Sequence, residues 1–342
     1  MGPAAPEHYR SSKWRQAPWV RVAHPMTTSA TPRLTLGTAF LLTMPPLLWS
    51  ANSVIGRMIH DEVPPVTLNL LRWLVALVLL LPLAHRMLHP DSPMWTHWRR
   101  YLFLGLLGVA CYNTFQYLAL RTTTPINVTL VASSAPVFMM AMGSLFYGQR
   151  VRRDQLIGAV MSIVGVMLVM CRGDWQLLAQ VQFVEGDVFV LIATAAWAWY
   201  SWQISLPDRD PPEIRNHWAN FLMAQVVMGL VWSSLFSAAE WTLTDAHIHW
   251  SWPVVAALLY IGIGPAVLAY RCWGLGVQRV GPNIAGFFSN LTPVFAAVLS
   301  SLVLGEWPQW YHLVAFVLIV GGIVVSSKPQ RTQTDAARPG KL

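Results

Sequence analysis

The chain has 342 residues, 55% of them apolar and only 11% charged, with a formal net charge of +8, a pI near 9.8 and a mean hydropathy of +0.45. So much apolar and so little charged residue excludes an ordinary soluble globular protein and a disordered one, and it points to an integral membrane protein. The basic balance does not call for a nucleic-acid partner, because the lysines and arginines fall in the short segments between apolar runs.

A bilayer core of about 30 Å requires roughly 20 apolar residues per helix. Runs of that kind lie near 35–56, 65–84, 101–120, 126–147, 155–171, 186–205, 217–238, 252–272, 282–303 and 310–326, which predicts an all-α membrane protein of ten transmembrane helices. Residues 1–34 are polar, basic and aromatic and lack the apolar core and cleavage site of a signal peptide, so they read as a cytoplasmic tail, with Met26 a second candidate start. Residues 327–342 read as a second cytoplasmic tail.

Polar residues inside hydrocarbon are expensive and usually face a bundle interior or a watery cavity, which makes them the candidate substrate contacts. In the first run Trp49 and Asn52 share a face, and in the second Asn69 and Arg72 do. Arg72 costs at least ~2.5 kcal/mol there without compensation. Two readings of it stay open: a fixed positive charge for a carboxylate-bearing solute, or a structural arginine that snorkels to the outer interface or bonds helix-end carbonyls. Its position some two turns beyond Pro65 favours the structural one.

The third run carries Asn113, Gln116 and Tyr117 at i, i+3 and i+4, a polar stripe that is costly unless water or ligand reaches it. The fourth carries Asn127 and Ser134; the sixth and seventh add Trp199, Tyr200, Asn220 and Gln225; the ninth carries Asn290. For any single amide the rival role is interhelical packing, at about 0.6 kcal/mol on average.

All 15 Asp and Glu residues fall in loops, tails or helix ends, with Asp187 and Glu306 nearest the membrane, and His60 and His217 stand at span ends. A buried titratable group for proton coupling is therefore not evident, which favours facilitated or exchange transport of a neutral or zwitterionic solute. Cys111, Cys171 and Cys272 are scattered and read as small buried hydrophobes. No P-loop, zinc helix or nucleophile elbow occurs, so neither cofactor, metal nor enzymatic activity is expected. Two Asn-x-Thr patterns, at Asn127 and Asn290, lie within spans and are not glycosylation sites, and Gly158-x-x-x-Ser162 reads as helix packing.

With both termini inside, the tails and the segments holding Arg86, Arg99 and Arg100, then Arg150, Arg152 and Arg153, then Arg209 and Arg215, then Arg279, are all cytoplasmic. Of the 23 basic residues only Arg57, Arg121 and Arg172 are then outside, and Arg72 and Arg271 lie in or at the end of spans. That is the positive-inside asymmetry.

The chain also repeats itself. Sliding residues 102–169 forward by 157 positions without a gap lays Gly105 on Gly262, Pro125 on Pro282, Pro136-Val137-Phe138 on Pro293-Val294-Phe295, Gly148 on Gly305, Gly165 on Gly322, and Ser133 on Asn290. Shared Pro and Gly imply shared backbone geometry, so Pro125, Pro136, Pro282, Pro293, Gly148 and Gly305 are the candidate hinge positions. A five-helix unit repeated once has to insert its second copy upside down. The expected organisation is residues 35–172 as the first unit and 186–326 as the second.

These residues resemble the drug/metabolite transporter superfamily, in its bacterial EamA-like ten-helix branch, over about 36–327. The likeness rests on Trp49-Ser-Ala-Asn52, Pro64-Pro65 leading to Leu71-Arg72-Trp73, Tyr112-Asn113 through Gln116-Tyr117, Thr123-Thr124-Pro125-Ile-Asn127, Ser134-Ala-Pro136 and Gly148-Gln149-Arg150. Gly281-Pro282-Asn283, Leu291-Thr-Pro293 and Leu304-Gly305-Glu306 repeat it, with Gln149 a departure where the family often has Glu. The resemblance implies secondary transport of a small solute, an amino acid, another metabolite or a drug-like compound, by alternating access across the bacterial inner membrane and commonly outward. Its partners would be that solute and the lipid bilayer, with monomer and homodimer both open. A non-transporting scaffold or a membrane enzyme on the same fold is the alternative.

Overall fold

The computed structural model describes residues 34–59, 61–119, 122–123, 125–179, 181–304 and 309–328. Among them all regular structure is helical. The helices are α1 (Leu36–Met58), α2 (Pro65–Ala84), α3 (Trp98–Ala119), α4 (Pro125–Ala132), α5 (Ala135–Tyr147), α6 (Arg153–Met170), α7 (Glu185–Ser205), α8 (Trp218–Leu243), α9 (Trp252–Val280), α10 (Pro282–Ser289), α11 (Leu291–Leu304) and α12 (Trp310–Ser326).

Local chemistry sets the ends. The Thr35 hydroxyl accepts from Thr38 N at 3.2 Å and caps α1, and Ser251 caps α9 in the same way. Proline stands at the start of α2 and of α10, where its missing N–H and fixed φ suit a first turn. Gly148 closes α5 at φ +65° and Gly281 separates α9 from α10 at φ +81°, backbone that side chains disfavour.

Seven helical stretches are long and apolar enough to cross a membrane, and α12 is a shorter apolar helix. α1 and α7 have the length, 23 and 21 residues, but their apolar character is diluted by Pro45, Pro46, Trp49 and Asn52, and by Trp197 through Gln203. α8 continues to Leu243 and α9 to Val280, past the apolar runs that predict them, so Glu240, Gln278 and Arg279 are helical. Val78, Leu145, Val160, Leu235 and Val317 are exposed on the outside of the bundle, as a lipid-facing surface requires.

The sequence repeat is visible in the helices. α3 widens to π pitch over Gly105–Cys111 and α9 over Gly262–Leu268; α4 begins at Pro125 and α10 at Pro282; α6 begins at Arg153 and α12 at Trp310. Each pair is 157 residues apart. The breaks between α4 and α5 and between α10 and α11 fall at Ser133-Ser134 and at Asn290, just before Pro136 and Pro293.

Small residues seat the helices. α6 meets α12 with Gly158 against Gly322, where a Cβ on either would lie 2.6 Å from the other's carbonyl oxygen, and with Gly165 against the Ala315 carbonyl at 3.0 Å. At the two π segments, Gly105 packs on Gly229 of α8, and Gly262 packs on Val75 and the Arg72 carbonyl of α2.

Candidate functional site

The π segments prepare the centre of the bundle. In α3 the Tyr112 amide bonds the Leu107 carbonyl, and in α9 the Ala269 amide bonds the Gly264 carbonyl, so on return to α pitch the Gly108 and Pro265 carbonyls are passed over. Each is met by a side chain from another helix: the Tyr270 hydroxyl donates to Gly108 O, and Trp49 Nε1 donates to Pro265 O at 3.2 Å. Gly108 and Pro265 are themselves 157 residues apart, so both halves use the same device.

Beside the first π segment lies a buried polar network. Asn69 Nδ2 donates to Val109 O at 3.0 Å and to Thr114 Oγ1 at 3.2 Å, and its Oδ1 accepts from Trp73 Nε1 at 3.1 Å. Arg72, wholly buried, donates from Nη1 to Asn113 Oδ1 at 2.8 Å and to the Tyr117 hydroxyl at 3.4 Å. Asn113 Nδ2 reaches the Tyr270 hydroxyl at 3.4 Å. Arg72 Nε and Nη2 have no partner. Each such unsatisfied donor costs about 1–3 kcal/mol, and more on a charged group. Arg72 therefore neither snorkels outward nor bonds helix-end carbonyls, contrary to the favoured sequence reading.

Aromatic rings fill the space around this network. Trp49 meets Trp197 edge-on at 5.2 Å and Trp273 at 5.7 Å, Tyr112 tilts over Trp197 at 4.6 Å, and Tyr270 meets Trp73 at 4.9 Å. A narrow crevice bounded by Trp218, Gln225, Arg271, Gly274 and Gln278 ends on Tyr200 and Tyr270. Tyr270 is thus common to the crevice and to the arginine network.

The other sequence candidates divide. Gln116 is half-buried one turn beyond Tyr112 on α3, Asn52 Oδ1 is buried without a partner, and Tyr200 packs on Gly108. Asn290 is buried at the α10–α11 break with both side-chain polar atoms unpaired. Asn127 instead bonds Gln182 O and Asp187 Oδ2, both at 2.8 Å, Ser134 turns back to Val131 O, and Asn220 bonds Glu213 O at 3.1 Å; none of these three touches the Arg72 network. Pro125, Pro136, Pro282 and Pro293 stand at or just after helix starts. Gly305 lies outside the described residues, as do Glu306 and His60.

Three buried carboxylates were not legible as such. Asp187 accepts from Thr123 Oγ1, Asn127 Nδ2 and Val184 N. Glu240 on α8 caps the start of α2 by accepting from Val66 N at 3.1 Å, and from Thr67 N and Oγ1 at 2.8 Å. Asp210, in the α7–α8 connection, is held side-on by Arg100 Nε and Nη2, both at 3.2 Å, and by Arg215 Nη1 at 3.3 Å. Burial pushes the Arg215 guanidinium below its usual pKa, with the Asp210 charge opposing. Of the three only Asp187, an acid in the first turn of α7, stands where local sequence favours a carboxylate.

Residues 36–171 and 184–328 each match the EamA-like transporter family. An uncharacterized transporter of Archaeoglobus fulgidus is 25% identical over 295 residues, covering 86% of this chain and 98% of the relative. The aromatic amino acid exporter YddG of Ancylobacter novellus is 25% identical over 287 residues, covering 82% and 93%. A solved crystal structure superposes with a TM-score of 0.66 at 21% identity, over 85% of this chain and 96% of the other.

Proposed function

Because the chain belongs to the EamA-like transporter family and is thus a multi-span membrane transporter, we propose that it is a secondary transporter. It carries a small amino-acid-like metabolite out of the cell by alternating access between two inverted five-helix halves. The halves are α1 to α6 and α7 to α12, with α4–α5 and α10–α11 each counted as one broken span, which gives ten crossings.

One observation carries the inversion. Asn113 and Tyr270 are equivalent positions in the two halves and touch each other, as residues do only on a two-fold axis. The helix contacts support it: exchanging halves turns the Gly158–Gly322 contact into Gly165–Ala315, and Gly105–Gly229 into Gly262–Arg72. α6 and α12 are antiparallel in this pairing, so the axis lies across the helices and in the membrane plane. The excess of basic residues in alternate loops supports a cytoplasmic side for both termini. On that orientation the crevice at Gly274 and Gln278 is the cytoplasmic approach, and Tyr270 closes it. The outward direction follows relatives such as the Ancylobacter exporter.

Counterflow in proteoliposomes tests this. Vesicles loaded with unlabelled L-phenylalanine, L-threonine or L-alanine are expected to accumulate the labelled form of at least one of them above protein-free vesicles. Accumulation of none contradicts the reading.

A further inference from the structure

A buried guanidinium is normally met by a carboxylate or by a full set of acceptors. Arg72 has neither, since only Nη1 is engaged and the Nε–Nη2 edge is bare. That edge is the one with which arginine grips a carboxylate side-on through two parallel N–H···O bonds, and Arg100 uses the same two atoms on Asp210 in this protein. Among the described residues the buried carboxylates are Asp187, Asp210 and Glu240, and each is committed elsewhere. Among the described residues no carboxylate bonds Arg72.

The repeat removes the architectural explanation. The position equivalent to Arg72 in the second half is Gly229, which packs on the equivalent π segment with no side chain at all. Packing at this place needs no arginine. What adjoins the bare edge is instead the aromatic interior, with the Trp73 ring centroid 5.4 Å from the guanidinium carbon and Tyr270 against Trp73.

We infer that Arg72 is an anion subsite: its Nε–Nη2 edge takes the carboxylate of a small organic acid, whose apolar remainder lies among the rings of Trp73, Tyr270 and Trp49. The inference rests on the transporter reading and deepens it, since the cargo is recognised by its carboxylate and neutralises the buried charge on binding. The neutral amide of the same shape can satisfy only one of the two N–H groups, turns its own NH2 against the other, and leaves the buried charge uncompensated, so it is rejected.

Binding to purified protein, followed by the fluorescence of its 18 tryptophans, needs no transport. The probes are 3-phenylpropionate and its amide. Wild type is expected to bind the acid at least about 30-fold more tightly than the amide. Arg72→Gln, which keeps a donor for Asn113, is expected to lose that preference, and Arg72→Lys to keep part of it. Ligand-free Arg72→Gln is expected to melt no lower than wild type, because an unpaired buried charge has gone. Equal affinity of wild type for acid and amide, no binding of the acid, or an acid preference that survives in Arg72→Gln would each overturn the subsite. If Arg72→Gln fails to fold, the acid-to-amide ratio on wild type decides alone. Loss of the subsite with counterflow intact leaves the transporter reading standing; absence of counterflow with the acid preference intact overturns that reading and keeps the subsite.

Discussion

Tyr270 and Trp49 are the residues through which the centre responds to small changes. Each donates to a carbonyl that a π segment has left out of its own helix, so deleting the donor orphans a buried acceptor. Tyr270→Phe is expected to lower stability by about 1–3 kcal/mol, seen as a fall in melting temperature of the detergent-solubilised protein. Trp49→Phe should do the same by a similar amount, because Gly108 and Pro265 are equivalent; an unchanged melting temperature in both would remove the carbonyl role. At this scale the sequence was informative where a polar group sat in an apolar run. Arg72, Asn113 and Tyr117 converge because polar groups in an apolar bundle find one another, although two Arg72 donors stay unpaired. Tyr270 escaped notice because a tyrosine in a span has an apolar body and announces nothing until its hydroxyl has a partner. Asn127 and Asn220 stand apart from the arginine network for the opposite reason: their amides meet carbonyls of the connecting segments, and backbone partners leave no mark in composition.

Elements are joined by buried charge at their ends. The Arg100–Asp210–Arg215 cluster ties the α7–α8 connection to the start of α3, with the Asp210 side chain 0% exposed. Asp210→Asn leaves two guanidinium groups without their anion and is expected to destabilise by about 3–5 kcal/mol, measurable as lost monodispersity and a lower melting temperature. Wild-type behaviour of this variant would show the cluster to be solvated. On the apolar side, Gly322→Val drives a Cβ to within 2.6 Å of the Gly158 carbonyl, backbone that cannot yield, so α6 and α12 must part. About 1–3 kcal/mol of destabilisation follows, and an unperturbed melting temperature would contradict the close α6–α12 contact. The helix breaks before Pro136 and Pro293 fall inside runs read as continuous, 126–147 and 282–303; the prolines marked only candidate hinges, although proline removes an amide that an unbroken helix needs. The lengths of α8 and α9 were not legible either, because hydropathy ends where lipid ends while the hydrogen-bonded helix runs on into water.

Across the whole molecule the two halves that match one family differ at a wholly buried charge, Arg72, whose equivalent 157 residues on is Gly229. The repeat could be read from Pro and Gly register alone, and the paired π segments now give that register a physical content. The same offset sets Arg72 on Gly229; what it could not give is that Arg72 is wholly buried with two donors unpaired. Alternating access predicts that positions on the two approaches to the centre open in turn. Gly274 borders the crevice and has open space where a Cβ would go, and a Cβ on Gly56 would meet the ring of Tyr117, the equivalent of Gly274, at an ordinary contact distance of 3.9 Å. The deciding measurement is labelling of Gly274→Cys and Gly56→Cys, each in a protein with Cys111, Cys171 and Cys272 replaced, by a membrane-impermeant thiol reagent added from either side of sealed vesicles. The account predicts labelling from opposite sides, with substrate raising one rate as it lowers the other. Labelling of both from one side, or rates that rise and fall together, would contradict it.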